Sequence, residues 1–187
     1  MLYRITDYQS PVGRLILASD GSSLTGLWLE GQKYFGGTLG EHVRDDSPDV
    51  FRAAKDWLDR YFAGKAPEIS ELPLLPAGGA FRQTVWKLLC RIPYGEVTTY
   101  GALAKMAAME MGRTSYSAQA VGGAVGHNPI SIVIPCHRVV GADGSLTGYA
   151  GGIEKKAWLL AHEGVDVERL AVEMQPPKRS VRKKIKK

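Results

Sequence analysis

Residues 65–79, KAPEISELPLLPAGG, hold three prolines and two glycines in one stretch. Proline removes a backbone donor and glycine adds chain entropy, so neither sustains a helix interior or a central strand. The segment therefore reads as a linker and divides the chain near residue 78. The two sides differ in hydrophobic period. Before it, LYRITDY alternates apolar and polar positions, SPVG turns, GRLILAS continues, and SDGSS turns again into LTGLWLE. That pattern predicts a small antiparallel meander over residues 2–29. GQKYFGGTLGEH is Gly-rich and irregular. Asp49 to Phe62 then places Phe51, Ala54, Leu58, Tyr61 and Phe62 on one helical stripe, with Gly64 as the stop.

After the linker the period is helical. Phe81, Val85, Leu88, Leu89 and Ile92 mark an amphipathic helix, and PYGE turns. Thr98 or Thr99 can cap a helix through TYGALAKMAA. Ser115 or Ser117 can cap a second one through SAQAVGGAVGHN, and two short helices joined by a loop fit a helix-turn-helix. A strand-like ISIVI, a Gly-rich loop and a last helix IEKKAWLLAHEG complete the chain body. The expected fold is α+β. Residues 1–77 form an antiparallel sheet plus helix, residues 78–170 a mostly helical domain, and residues 171–187 a basic, disordered tail.

Charge supports that division. The formal net charge is +5, yet seven of the 24 Lys and Arg lie in the last twelve residues, leaving 17 against 19 acids in the body. Such a tail attracts polyanions or merely solubilises a terminus. Two cysteines, Cys90 and Cys136, make no disulfide framework and imply a reducing compartment. MLYRITDYQS lacks the pattern of a signal peptide, and no run approaches the ~20 apolar residues of a membrane span. A cytoplasmic protein without a membrane partner is expected.

The stretch Ile134 to Val139, IPCHRV, sets a thiol, an imidazole and a guanidinium in a row. The thiolate is the nucleophile, and a neighbouring cation or imidazole makes it available. His137 and Arg138 are candidates for that. Adjacent residues of an extended segment point to opposite faces, so the proton path from Cys136 to His137 needs a backbone turn or a bridging water. Glu163 can orient the imidazole, and Asn128 can order the turn. A metal set of Cys136, His137, His162 and Glu163 has the right atoms but not the spacing of zinc sites, so no metal is expected. A cysteine hydrolase stays open on residue types alone. Cys90 and the four tryptophans (Trp28, Trp57, Trp86 and Trp158) are assigned to the core, and His42 and His127 to the surface or loops. The second helix of the pair is nearly bare, with Ala118, Ala120, Gly122, Gly123 and Ala124. It either packs tightly against another helix or enters a narrow groove, where only Gln119 and Asn128 reach outward.

Taken together, GEVTTYG, the NP before ISIVI, PCHRV, GYAGG and AHEG resemble the O6-alkylguanine-DNA alkyltransferases across residues 81–164. SPVGRLILAS and LTGLWLEGQ resemble that family's N-terminal, ribonuclease H-like domain. The resemblance implies irreversible, single-turnover transfer of an alkyl group from guanine O6, with O4 of thymine open, to Cys136. It implies His137 as base through water, held by Glu163, Asn128 as shaper of the loop, and Tyr100 as general acid at N3. The main chain of Cys136 and Val139 would receive the exocyclic amine and the N–H near Ala150 would bind O6. Tyr149 would wall the pocket, beside a small Gly151–Gly152 loop that suggests tolerance of larger alkyl groups. Arg138 would brace the two domains. Ser117, Ala118, Gln119, Ala120 and Gly122 would enter the minor groove of double-stranded DNA, with the target nucleotide flipped out. Many members carry arginine where Gln119 stands. No cofactor is implied, and a monomer is expected. The alternative is a non-catalytic module that binds alkylated DNA; such relatives have lost the cysteine that Cys136 retains.

Overall fold

A computed structural model describes residues 1–173. The N-terminal half opens with β1 (Tyr3–Ser10), β2 (Gly13–Ser19) and β3 (Leu24–Leu29), an antiparallel meander as the alternation predicts. The sheet itself is mixed. A fourth strand, β4 (His42–Arg44), pairs parallel to β1, giving the order β3-β2-β1-β4. All three residues of β4 are exposed, so HVR carries no alternation that a sequence pattern can register. Helix α1 (Asp49–Phe62) lies against β1, β2 and β3 and buries Phe51, Ala54, Trp57, Leu58 and Tyr61, the forecast stripe with Trp57 added. Phe62 is only partly buried.

The Pro/Gly segment is a connection but not a slack one. Leu24 N donates to Pro73 O and Leu75 N to Leu24 O, at 2.8 and 2.9 Å, so the segment lies along the free edge of β3. Trp57 Nε1 donates to Glu68 O, and Leu72 is buried. Proline suits this place because an edge tolerates a missing donor.

The second half holds α2 (Ala80–Leu89), β5 (Thr98–Thr99), α3 (Tyr100–Glu110), α4 (Ala118–Gly126), β6 (Val139–Val140), α5 (Ile153–His162) and α6 (Val167–Glu173). The Thr99 hydroxyl accepts from Ala102 N and the Ser117 hydroxyl from Ala120 N, so α3 and α4 are both capped from the side chains the sequence offered. Trp86 Nε1 donates to Ala124 O at 2.9 Å and ties α2 to the second helix of the pair. Cys90, assigned to the core, is only partly buried, at the C-cap of α2. Trp158 is 37% exposed and stacks on His162, so it leaves the core to the other three tryptophans.

The apolar run ISIVI is not a strand. Ile130 makes one bridge to Leu27, after which residues 131–133 turn, with Ile132 at φ 71. A β-branched residue rarely takes that conformation. Here Ile132 is fully buried, and the packing around it holds the backbone there. The run is apolar because every residue from 128 to 140 is buried, not because it is extended. At the other end, α6 carries the chain through Glu173, three residues into the stretch assigned to the basic tail; the rest of that stretch lies outside the described residues.

Candidate active site

The 128–138 loop is built against the edge of β3. Leu27 N donates to Pro129 O and Ser131 N to Leu27 O, each at 2.8 Å. The Ser131 hydroxyl donates to Gln32 Oε1, which also accepts from Leu29 N. Inside the loop the Asn128 amide donates to Ile130 O, Ile134 O and Cys136 Sγ at 3.3, 2.8 and 3.2 Å, while its oxygen accepts from Ile130 N. Cys136–Arg138 then form one tight helical turn. The chain turns at the thiol, which is one of the two ways a path from Cys136 to His137 could be made, the other being a bridging water.

Cys136 is buried, and burial pushes its thiol above the usual cysteine range; the Asn128 hydrogen bond and the Lys156 charge pull the other way without cancelling it. Arg138 does not serve the sulfur. Its guanidinium donates to Glu163 at 2.8 and 3.1 Å and to Ile92 O at 2.6 Å. The thiol is therefore protonated at rest and needs a base at the moment of reaction.

Glu163 is the hub of the buried network. Its carboxylate accepts from His137 Nε2 (2.6 Å), Tyr61 Oη (2.8 Å), Gly95 N (3.2 Å) and twice from Arg138. Burial alone would raise its pKa. The hydrogen bonds and charges of His137 and Arg138 outweigh that and hold it at about 2. An ionised carboxylate only accepts, so Nε2 carries the imidazole proton and Nδ1 is left with its lone pair. That Nδ1 is buried and has no hydrogen-bond partner among the described residues. Burial holds the His137 pKa below the usual range, so the ring is neutral near pH 7. Arg138 is hydrogen-bonded toward the N-terminal half through Glu163, which accepts from Tyr61, and it lines a cavity with Trp57 and Tyr61 of α1.

A second group of side chains closes the other side of the thiol. Tyr100 Oη donates to Thr147 O at 3.0 Å, and burial, with the Cys136 charge, lifts its pKa to about 12. A Cβ on Gly148 would lie 3.0 Å from that hydroxyl, so glycine lets the phenol approach the loop. The Tyr149 hydroxyl is buried without a hydrogen-bond partner among the described residues, and burial keeps it protonated. A side chain at Gly151 would meet Tyr149 at 2.8 Å and Leu29 at 3.1 Å, so the glycine is already used by packing and is not spare room. Ala150 O accepts from Lys33 N, and Val139 O accepts from Lys156 Nζ, as does Thr147 O.

Lys156 and Tyr61 are the functional candidates that sequence reasoning missed. Lys156 is fully buried, and burial lowers its pKa to about 8 while the Cys136 charge raises it. Lys156 stands three and four residues before the buried Leu159 and Leu160, on the inner face of α5, but a lysine at that spacing is no sequence signal of burial. Tyr61 lay on the apolar stripe of α1, where nothing distinguished its hydroxyl from that of any core tyrosine. His162 turns away, its Nε2 donating to Tyr61 O, and among the described residues no cluster of His, Cys, Asp or Glu is arranged to hold a metal.

The surface beside this pocket is α4. Ser117, Ala118, Gln119 and Ala120 are exposed and Gly122 is half-buried, while Val121, Ala124 and Val125 face the core. A Cβ added at Gly123 or Gly126 would meet nothing within 4 Å, and one at Gly122 only the Tyr100 ring at 3.8 Å. Among the described residues no helix packs on Gly123 or Gly126, so close packing accounts for Ala124, which is buried against α2, but not for these glycines.

A buried thiol held by Asn128, next to an oriented imidazole and a capped helix pair with a smooth outer face, is the arrangement of a thiol-based group-transfer protein. Residues 80–165 match the family profile "6-O-methylguanine DNA methyltransferase, DNA binding domain", and residues 2–76 match the "ribonuclease-like domain" of the same proteins. The methylated-DNA–protein-cysteine methyltransferase of Haemophilus influenzae is 45% identical over 160 residues, covering 86% of both chains. That of Mycobacterium bovis is 48% identical over 162 residues, covering 86% of this chain and 91% of its own. A structure of Mycobacterium tuberculosis OGT in complex with DNA superposes with a TM-score of 0.74 at 42% identity, covering 91% of this chain and 99% of that one. The chain belongs to the 6-O-methylguanine DNA methyltransferase family.

Proposed function

We propose that this chain repairs DNA by moving an alkyl group from O6 of guanine to Cys136, once per molecule. One observation carries the reading: Asn128 holds the buried Cys136 thiol, while Glu163 fixes the neighbouring His137 so that its Nδ1 lone pair is free. In the reaction the thiol proton passes through a water to Nδ1, and the sulfur attacks the alkyl carbon. The new S–C bond forms as the O6–C bond breaks, and the electron pair stays on the guanine. Tyr100 donates its proton to N3 of the departing base. Lys156, close enough to Cys136 to influence its charge, stabilises the developing thiolate. The main-chain groups of Cys136, Val139 and Ala150 hold the base, and Tyr149 and Gly151 form its wall. The thioether is stable, so the protein is consumed.

The lesion is unreachable inside a stacked duplex, so the nucleotide is flipped out. Ser117, Ala118, Gln119, Ala120 and Gly122 face the minor groove, and the open space over the α4 glycines supports this. Residues 1–77 and 78–170 act as the two domains, the second carrying acceptor and DNA surface. The protein works as a monomer in the cytoplasm. No helix of the described residues is long and apolar enough to cross a membrane.

The test is mass spectrometry after incubation with a duplex holding one O6-methylguanine, beside an unmodified duplex. One methyl on the Cys136 peptide, saturating at one per protein and seen only with the lesion, is expected. Tight lesion binding without an adduct would move the reading to a binding module. Gln119 bears on the flipping step alone. Gln119→Arg adds length and charge at the exposed start of α4, and it is expected to keep or raise the single-turnover rate on duplex DNA. A large loss of rate would show that residue 119 does not fill the gap left by the flipped base.

A further inference from the structure

A cavity of about 430 Å³ lies where the two halves meet above the 148–150 loop. One wall is the glycine face of α4 with His127; the other is Lys33 and Tyr34 from the N-terminal half. Lys33 and Tyr34 belong to the stretch that sequence patterning left as an irregular loop, and the chemistry above uses neither. Their backbone is nonetheless fixed. Tyr34 is a non-glycine residue at φ 61, a conformation that persists only when the surroundings enforce it. Those surroundings are specific: Lys33 N donates to Ala150 O at 3.0 Å, and the Tyr34 ring stacks on His127 with centroids 3.9 Å apart. His127 is itself anchored, with Nδ1 donating to Gly123 O at 2.7 Å. The corner thus presents Lys33 at the mouth of the cavity.

The electrostatics of the mouth are one-sided. Lys33 makes no ion pair among the described residues, and its ammonium sits 5.0 Å from the Tyr34 ring centre. Among the described residues no carboxylate lines the cavity. Among the described residues, nothing lies within 4 Å of a Cβ placed on Gly123 or Gly126, so the gap is open on that side. A cation facing a smooth helix across a gap of this size suits a phosphodiester, which brings charge and a narrow backbone.

We propose that Lys33 is a phosphate-binding residue of the lesion site, gripping the backbone phosphate next to the flipped nucleotide. The N-terminal half then contributes directly to DNA binding. The inference rests on the alkyl-transfer reading and is tested apart from it. Single-turnover transfer from an O6-methylguanine duplex, measured over a range of protein and salt concentrations, yields a half-saturating concentration and a limiting rate. Lys33→Ala is expected to raise the former roughly three- to tenfold near 0.1 M salt. It should lower the slope of log affinity against log salt by about one, the share of one phosphate contact. The limiting rate should stay within about twofold, and Lys33→Arg should restore affinity and slope. Unchanged affinity and slope in Lys33→Ala, or a loss confined to the limiting rate, would overturn the inference and leave alkyl transfer intact. A wild-type chain that transfers nothing from the duplex would overturn the alkyl-transfer reading, and this inference with it.

Discussion

Cys136→Ser is expected to abolish alkyl transfer while keeping lesion affinity within about threefold. A serine hydroxyl is far less acidic than a thiol, and a neutral imidazole of lowered pKa, reached through a water, is too weak a base to ionise it. Even the thiol is held protonated by burial, with one hydrogen bond from Asn128 and one nearby ammonium working against that. A weaker acid in the same place yields too little anion for attack. The loss should exceed about 10⁴-fold, the scale on which removal of a nucleophile acts. Binding should survive because the 128–138 loop is set by Asn128, by the bridge to Leu27 and by the Ser131–Gln32 hydrogen bond, none of which uses the sulfur as its main partner. Intact-mass analysis reads the first outcome and fluorescence anisotropy with a labelled lesion duplex reads the second. Transfer by the serine variant at anything near the wild-type rate would remove Cys136 from the role of acceptor.

The contrast between these residues explains what could be read in the sequence. IPCHRV, Asn128 and Glu163 were legible because reactive side chains in an apolar context are costly unless used. Helices α1, α2, α3 and α4 were legible because their stripes and caps are local, with Thr99 and Ser117 capping as their types prefer. ISIVI was misread because a buried turn and a buried strand leave the same apolar signature, and only the fold forces Ile132 to a positive φ. Strand β4 was missed because its pairing with β1 is long-range and its residues are exposed. Lys156 escaped notice because a lysine in EKKAW reads as solvated surface. Its burial is a tertiary fact, made tolerable by the carbonyls of Val139 and Thr147.

Glu163→Gln is expected to cost the most stability of any change to the site, about 3–5 kcal/mol. All the groups that meet this carboxylate are donors: His137, Tyr61 and one Arg138 nitrogen at one oxygen, Gly95 and another Arg138 nitrogen at the other. An amide turned either way presents N–H groups to at least two of them and leaves a buried guanidinium without its counter-charge. The effect should depend on pH in a definite sense. The Glu163 pKa is held at about 2 in the fold, against an ordinary value of 4.5. Its contribution, roughly 3 kcal/mol by linkage, is therefore complete above about pH 4.5 and is lost as pH falls toward 2. His137, neutral in the fold with a lowered pKa, also favours the unfolded chain once pH drops below its ordinary range near 6.5. Wild-type stability should thus decline in acid in two stages, and the gap between wild type and Glu163→Gln should narrow only in the second. Urea denaturation across pH 7 to 3 measures this, and a gap that is constant over that range would mean the carboxylate is not ionised in the fold. Transfer should slow by about 10²–10⁴-fold at neutral pH, because Nε2–H loses its acceptor and Nδ1 is no longer reserved for the thiol proton. Tyr61→Phe removes one neutral donor, leaves the charge paired and should cost only about 1 kcal/mol. If both variants cost the same, the network is held by packing around Tyr61, and the charge on Glu163 contributes little.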